Sequence, residues 1–121
     1  MGLFSVRVGV KAPGKKQETL VTTLVDTGAA ISIVPATVLK RLGIKAYWRR
    51  QFVLANGERI ERDIGIVAFR WNGSEGASEV VFGEKGDKPL LGALTLESLA
   101  LKVNPRKGRL EPTELMLLRV V

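Results

Sequence analysis

One carboxylate stands where the chain should be building core. Asp26 follows the β-branched, apolar run Thr22-Thr23-Leu24-Val25 and precedes Thr27-Gly28-Ala29-Ala30-Ile31-Ser32-Ile33-Val34-Pro35. Burying a carboxylate costs several kcal/mol unless it is hydrogen-bonded, paired or protonated, so its position between two core-forming segments needs a reason. The other two Asp residues, Asp63 and Asp87, lie in polar, turn-like surroundings where a solvated carboxylate is expected. Two readings of Asp26 remain open from the residues alone. It is either a turn residue capping neighbouring amides, with Gly28 supplying an unusual backbone angle, or a functional acid.

Composition narrows what such an acid could do. The chain has 121 residues and neither Cys nor His. That length makes one domain, spanning 1–121, with room for a real core but not for a second lobe. Disulfides, thiolate nucleophiles, Cys-ligated zinc, Ser-His pairs and imidazole metal ligands are all excluded. Hydrolytic chemistry would have to run on carboxylates, Lys, or Ser and Thr, and nothing calls for a metal or an organic cofactor. The opening MGLFSVRVGV alternates and does not form a secretion signal, and no apolar run approaches bilayer length, so a soluble, cytoplasmic protein with no membrane partner is expected. The net charge of +7 is spread in scattered pairs such as Lys15-Lys16, Arg49-Arg50 and Arg106-Lys107. A dispersed charge of this kind argues against a dedicated nucleic-acid surface.

Along the chain, short strands recur between turn signals. Residues 3–10 and 19–25 form a hairpin about Pro13-Gly14, and 31–34 resumes a strand after the Asp26 loop. Pro35 opens a short helix over 36–42, ended by Gly43. Strand-like segments at 51–54 and from 59 onward flank Ala55-Asn56-Gly57-Glu58, whose Asn-Gly pair is a strong hairpin signal. Further strands are expected at 64–71, 79–82 and 89–92, then a second short helix over 95–101 with Thr95 as its cap, and an apolar tail over 115–121. The pattern is that of a mainly β, barrel-like domain with one or two short helices.

Leu24-Val25-Asp26-Thr27-Gly28-Ala29, followed by Ser32 and Ile33, resembles the active-site segment of retropepsins, the retroviral-type aspartic proteases. The Asn56-Gly57 hairpin falls where that family places its flap. Pro89-Leu90-Leu91-Gly92 before a short helix resembles its second signature, and the continuation through Leu99 is similar to prokaryotic, non-viral aspartyl proteases. The resemblance implies a closed retropepsin-like acid protease barrel and an aspartic endopeptidase. It implies Asp26 as the catalytic acid, Thr27 bonding across a dimer, and Gly28 allowing close approach of substrate. Ala29 would pack beside the site, and Ala55, Asn56 and Gly57 would form a flap tip over an extended peptide. The flap flanks Glu58, Arg59, Glu61 and Arg62 are more charged than is usual in the family, consistent with either an unusual substrate or poorer closure.

Carboxylate-driven hydrolysis needs one group to accept a proton from water and another to donate one. Neither Asp63 nor Asp87 is followed by Thr-Gly or Ser-Gly, so the second acid must come from another copy, and a homodimer is required. The apolar tail could interleave in that dimer or dock within its own chain. Two other functions compete: a peptide-binding module of the same fold without turnover, and a small basic nucleic-acid-binding barrel, which would leave Asp26 unexplained.

Overall fold

A computed structural model of the chain describes residues 4–114. The alternation of the opening segment produces β1 (Ser5–Lys11), which pairs antiparallel with β2 (Glu18–Val25). Val8 and Val10 of β1 meet Val21 and Val25 of β2 in the core, as residues two apart on a strand share a face. Beyond the Asp26 loop, β3 (Ser32–Pro35) runs straight into α1 (Ala36–Arg41). Leu39 is the buried anchor of that helix, and Gly43, at φ 76°, turns the chain out of it.

Next come β4 (Trp48–Val53), β5 (Arg59–Trp71) and β6 (Ser74–Gly83), a meander of antiparallel strands. A two-residue strand, β7 (Leu90–Leu91), precedes α2 (Ala93–Ser98). The small hairpin of β8 (Leu101–Asn104) and β9 (Arg109–Pro112) forms its own sheet. The main sheet runs β1-β2-β7-β3-β6-β5-β4, and a further antiparallel pairing of β1 with β5 closes it on itself. Phe69, on β5 at that seam and opposite Val10, is fully buried. Closure removes the edges that β1 would otherwise expose, and β4 remains at the open end of the sheet.

The architecture is mainly β with two short helices, as expected, but several boundaries moved. The segments expected from 59 and from 64 are one strand, β5, because the charged Glu61-Arg62-Asp63 triplet interrupts the apolar pattern without interrupting the ladder. β6 begins at Ser74 and not at 79; its early residues are small because α2 packs on them, and a Cβ on Gly76 would collide with the Ser98 carbonyl. Thr95 is not a helix cap. Gly92 occupies that position, and Thr95 lies inside α2 with its hydroxyl buried. Trp71 packs against the core, whereas Trp48 lies on the edge strand against Tyr47, ring centroids 6.1 Å apart. The apolar tail over 115–121 lies outside the described residues. Among the described residues no helix is long and apolar enough to cross a membrane.

Replacing Phe69 by Ala should cost about 3–5 kcal/mol, the range for deleting a fully buried aromatic ring. Urea unfolding should show this as a lower midpoint with little change in slope.

Candidate active site

Asp26 is held by backbone before its side chain does anything. β2 pairs in parallel with β7, and the Asp26 N–H donates to the Leu91 carbonyl at 3.0 Å. The loop then turns back: the Ala29 N–H donates to the Asp26 carbonyl at 3.2 Å, and the Gly28 N–H donates to Asp26 Oδ1 at 2.9 Å. The carboxylate is half-buried and receives an amide proton from its own loop. Both readings of Asp26 are therefore visible in one geometry, because the acid caps its turn and also faces a cleft.

The second apolar motif supports this loop from behind. Ala93 and Leu94, opening α2, donate their N–H groups to the carbonyls of Ala29 at 2.8 Å and Ala30 at 3.0 Å. Gly92 lies so close that a Cβ there would sit 2.8 Å from the Ala29 oxygen and 2.9 Å from the Ile31 carbonyl carbon. No side chain fits at that approach. Beneath it lies a buried polar knot. The Gly92 N–H donates to Ser32 Oγ at 2.9 Å, and the Ser32 hydroxyl is hydrogen-bonded to that of Thr95. The Thr95 hydroxyl also bonds Ser78 Oγ at 2.9 Å, so β3, β6, β7 and α2 meet at three hydroxyls. Among the described residues every buried side-chain polar atom has a partner.

In front of Asp26 opens a cleft of about 660 Å³. Its floor is Asp26, Gly28, Ala29 and the apolar Ile31, Ile33 and Leu90; its roof is the β4–β5 hairpin. Gly57, at φ 86°, closes a three-residue loop in which its N–H donates to the Leu54 carbonyl at 2.9 Å. Asn56 Oδ1 accepts the Glu58 N–H at 2.9 Å and stiffens the tip. Phe52 and Ile60 oppose each other on the cleft side of the hairpin, while Val53 and Leu54 stay exposed near the tip.

The flap is also tied to the body. Arg62 of β5 donates Nε and Nη2 to the two carboxylate oxygens of Asp87 at 2.7 and 3.0 Å. Asp87 also accepts the Glu84 N–H at 2.8 Å, and Glu84 lies 3.6 Å from Arg62. The expectation that Asp87 is solvated is thus corrected. Its carboxylate is largely buried in a two-pronged ion pair, and the Arg62 guanidinium holds it below the usual carboxylate range against the opposing effect of burial. Asp63 is engaged too, on the outer face, where Arg49 reaches it at 3.1 Å and Glu61 at 3.3 Å. Among the described residues no group of three or more Asp and Glu side chains is gathered as a metal cage.

A family model described as aspartyl protease matches residues 10–95, which includes the Asp26 loop, the flap and the Gly92 motif. The chain belongs to the aspartyl protease family. No curated protein matches the sequence. Among solved structures, the simian foamy virus (mac) protease is similar with a TM-score of 0.51 and 20% identity, over 76% of this chain and 92% of that one. A retropepsin-like aspartic protease from Rickettsia conorii aligns with a TM-score of 0.46 and 18% identity, over 87% of this chain and 95% of that one. The mainly β, retropepsin-like fold is therefore shared with the viral enzyme.

Of the site residues expected for this aspartyl protease, Asp26, Gly28, Ala29 and Ala55 line one cleft. Thr27 is exposed beside it, and Asn56 and Gly57 shape the tip without lining the cavity. The sequence reading missed Phe52, Ile60, Arg50 and the Arg62–Asp87 pair. The hairpin register carries that signal, since counting back from Asn56-Gly57 puts residues 50, 52, 60 and 62 on one face.

Removing the Ser32 hydroxyl (Ser32→Ala) leaves the Gly92 N–H without its acceptor, while the Thr95 hydroxyl keeps Ser78, and should cost about 1–3 kcal/mol, read by chemical denaturation. The Arg62–Asp87 pair predicts a pH dependence. Because the folded-state value of Asp87 lies below its ordinary 3.8, its contribution is complete above that value and is lost as pH falls toward the lower folded-state value. Asp87→Asn should therefore be less stable than the parent at neutral pH, with the gap closing as pH falls below 3.8, in parallel denaturant titrations.

Proposed function

We propose that this protein is an aspartic endopeptidase that becomes active as a homodimer, with one Asp26 from each copy sharing the cleft. The observation that carries the reading is Asp26 itself. It is a backbone-clamped acid in an Asp-Thr-Gly loop, on the floor of a cavity whose roof is a hairpin.

The chemistry requires two carboxylates in different protonation states. One, ionised, removes a proton from a water molecule as the water oxygen attacks the peptide carbonyl carbon; the other, protonated, donates to the carbonyl oxygen. Proton return to the amide nitrogen then lets the C–N bond break. Asp87 is the other carboxylate lining the cleft, but Arg62 holds it ionised and occupies both its oxygens, which makes it unsuited to sharing a proton with Asp26. Asp63 is engaged by Arg49. A second copy supplies what the single chain lacks, with the two Asp26 groups meeting on a two-fold axis. In that arrangement the exposed Thr27 bonds across the axis, Gly28 and Ala29 leave room for an extended peptide, and Ala55, Asn56 and Gly57 cover it from above.

A purified preparation offered an unstructured peptide mixture from acid to neutral pH should cleave it, and Asp26→Asn should lower kcat/KM by at least about a thousandfold, as loss of a catalytic group does. Equal cleavage by both proteins would refute the role of Asp26. Sedimentation should show a concentration-dependent dimer, and a strict monomer that still cleaves would refute the shared pair.

A further inference from the structure

The two faces of the flap are charged in different ways. On the outer face, Arg49 stands opposite Asp63 and diagonal to Glu61, and Arg59 donates to Gln51 at 3.4 Å, so each cation is met by an acceptor. On the cleft face, Arg50 stands directly opposite Arg62. Like charges across a ladder repel and weaken the pair, so this position works against hairpin stability unless each guanidinium has a counter-charge.

Arg62 has one. Asp87 meets its Nε and Nη2 with both carboxylate oxygens, and only 14% of the Arg62 side-chain surface is exposed. Arg50 does not have an equivalent. Its nearest carboxylate is Glu79 of β6, 4.0 Å from Nη2 and outside hydrogen-bond range, and the Arg50 side chain is 49% exposed while lining the cleft. The cleft therefore carries one loosely engaged guanidinium in a lining that also includes the apolar Phe52, Val53 and Leu54. A planar, permanently charged fork in such a wall matches a carboxylate.

We propose that Arg50 is a specificity-determining residue that binds an acidic side chain, Asp or Glu, of the peptide held in the cleft. This rests on the reading of the cleft as a peptide site. A bound carboxylate would engage the Arg50 guanidinium more closely than Glu79 does at 4.0 Å and so offset its repulsion with Arg62, and substrate binding and flap stability favour each other.

The test uses binding to Asp26→Asn protein, where turnover does not interfere. Two libraries of unstructured peptides are compared, identical except that every Glu in one is Gln in the other. The Glu library should bind about fivefold more tightly at low salt, the scale of a partly exposed ion pair. In Arg50→Gln the preference should fall below twofold, and in Arg50→Glu it should reverse in favour of a library carrying Lys in place of Glu. Arg106→Gln removes the same charge from a remote, exposed turn and should leave the preference intact, which separates a local contact from the attraction of a basic protein. Reversal in Arg50→Glu also demands a folded protein, so it cannot arise from unfolding. No difference between the libraries, whether both bind or neither does, overturns the proposal, as does a Glu preference that survives Arg50→Gln. Absence of cleavage by the unsubstituted protein would instead remove the endopeptidase reading and leave this measurement decisive for Arg50.

Discussion

The structure depends on the backbone contact between two loops far apart in sequence. Asp26 donates to Leu91, and Ala93 and Leu94 donate to Ala29 and Ala30, so the acidic loop and the Gly92 motif form one hydrogen-bonded unit. Side chains could not replace this. The approach at Gly92 is too close for a Cβ, and the hydroxyls of Ser32, Thr95 and Ser78 take up polar groups that would otherwise be buried without partners. Loop geometry is fixed by main chain and sheet pairing, and the carboxylate is free to face the cleft. Rigid support of this kind is what an acid needs if it is to meet a partner and a water molecule in a narrow range of geometries.

The cleft is built from parts with opposite demands. Its floor is largely apolar and belongs to the closed sheet, where Ile33 of β3 stands opposite Leu90 of β7, both half-buried beneath the cleft. Its roof lies largely outside the closed sheet and holds its position through turn chemistry at Asn56 and Gly57 and the ion pair between Arg62 and Asp87. That pair spans β5 and the loop before β7, so a charge-assisted contact joins flap to body beside the continuous strand β5. A contact of that kind weakens with acid, whereas the floor does not.

Much of this was legible from residues. The apolar lead into Asp26, the small residues after it, the Asn-Gly turn and the Leu-Leu-Gly motif each required a particular local structure, and together they resembled one family. The charged strand was harder. Glu61-Arg62-Asp63 reads as solvent-facing in a linear scan, yet its side chains divide between the two faces of a hairpin, one pairing with Asp87 and two with Arg49. Thr95 was misread for a related reason, since a Thr near a helix start suits a cap, and only the approach of β3 and β6 gives its hydroxyl a different partner. Period and turn signals report local geometry; partners supplied from dozens of residues away do not register in them.

β5 has a mechanical consequence. Its first half pairs with β4 to make the roof, its second half pairs with β6 and β1, and Ile64 belongs to both, opposite Trp48 on one side and Val81 on the other. The roof is thus a cantilever anchored in the core. Its root is tightly packed, since Ile64 is fully buried and a Cβ on Gly65 would strike the Lys45 carbonyl. Access to the acid is therefore governed partly by residues that never approach it.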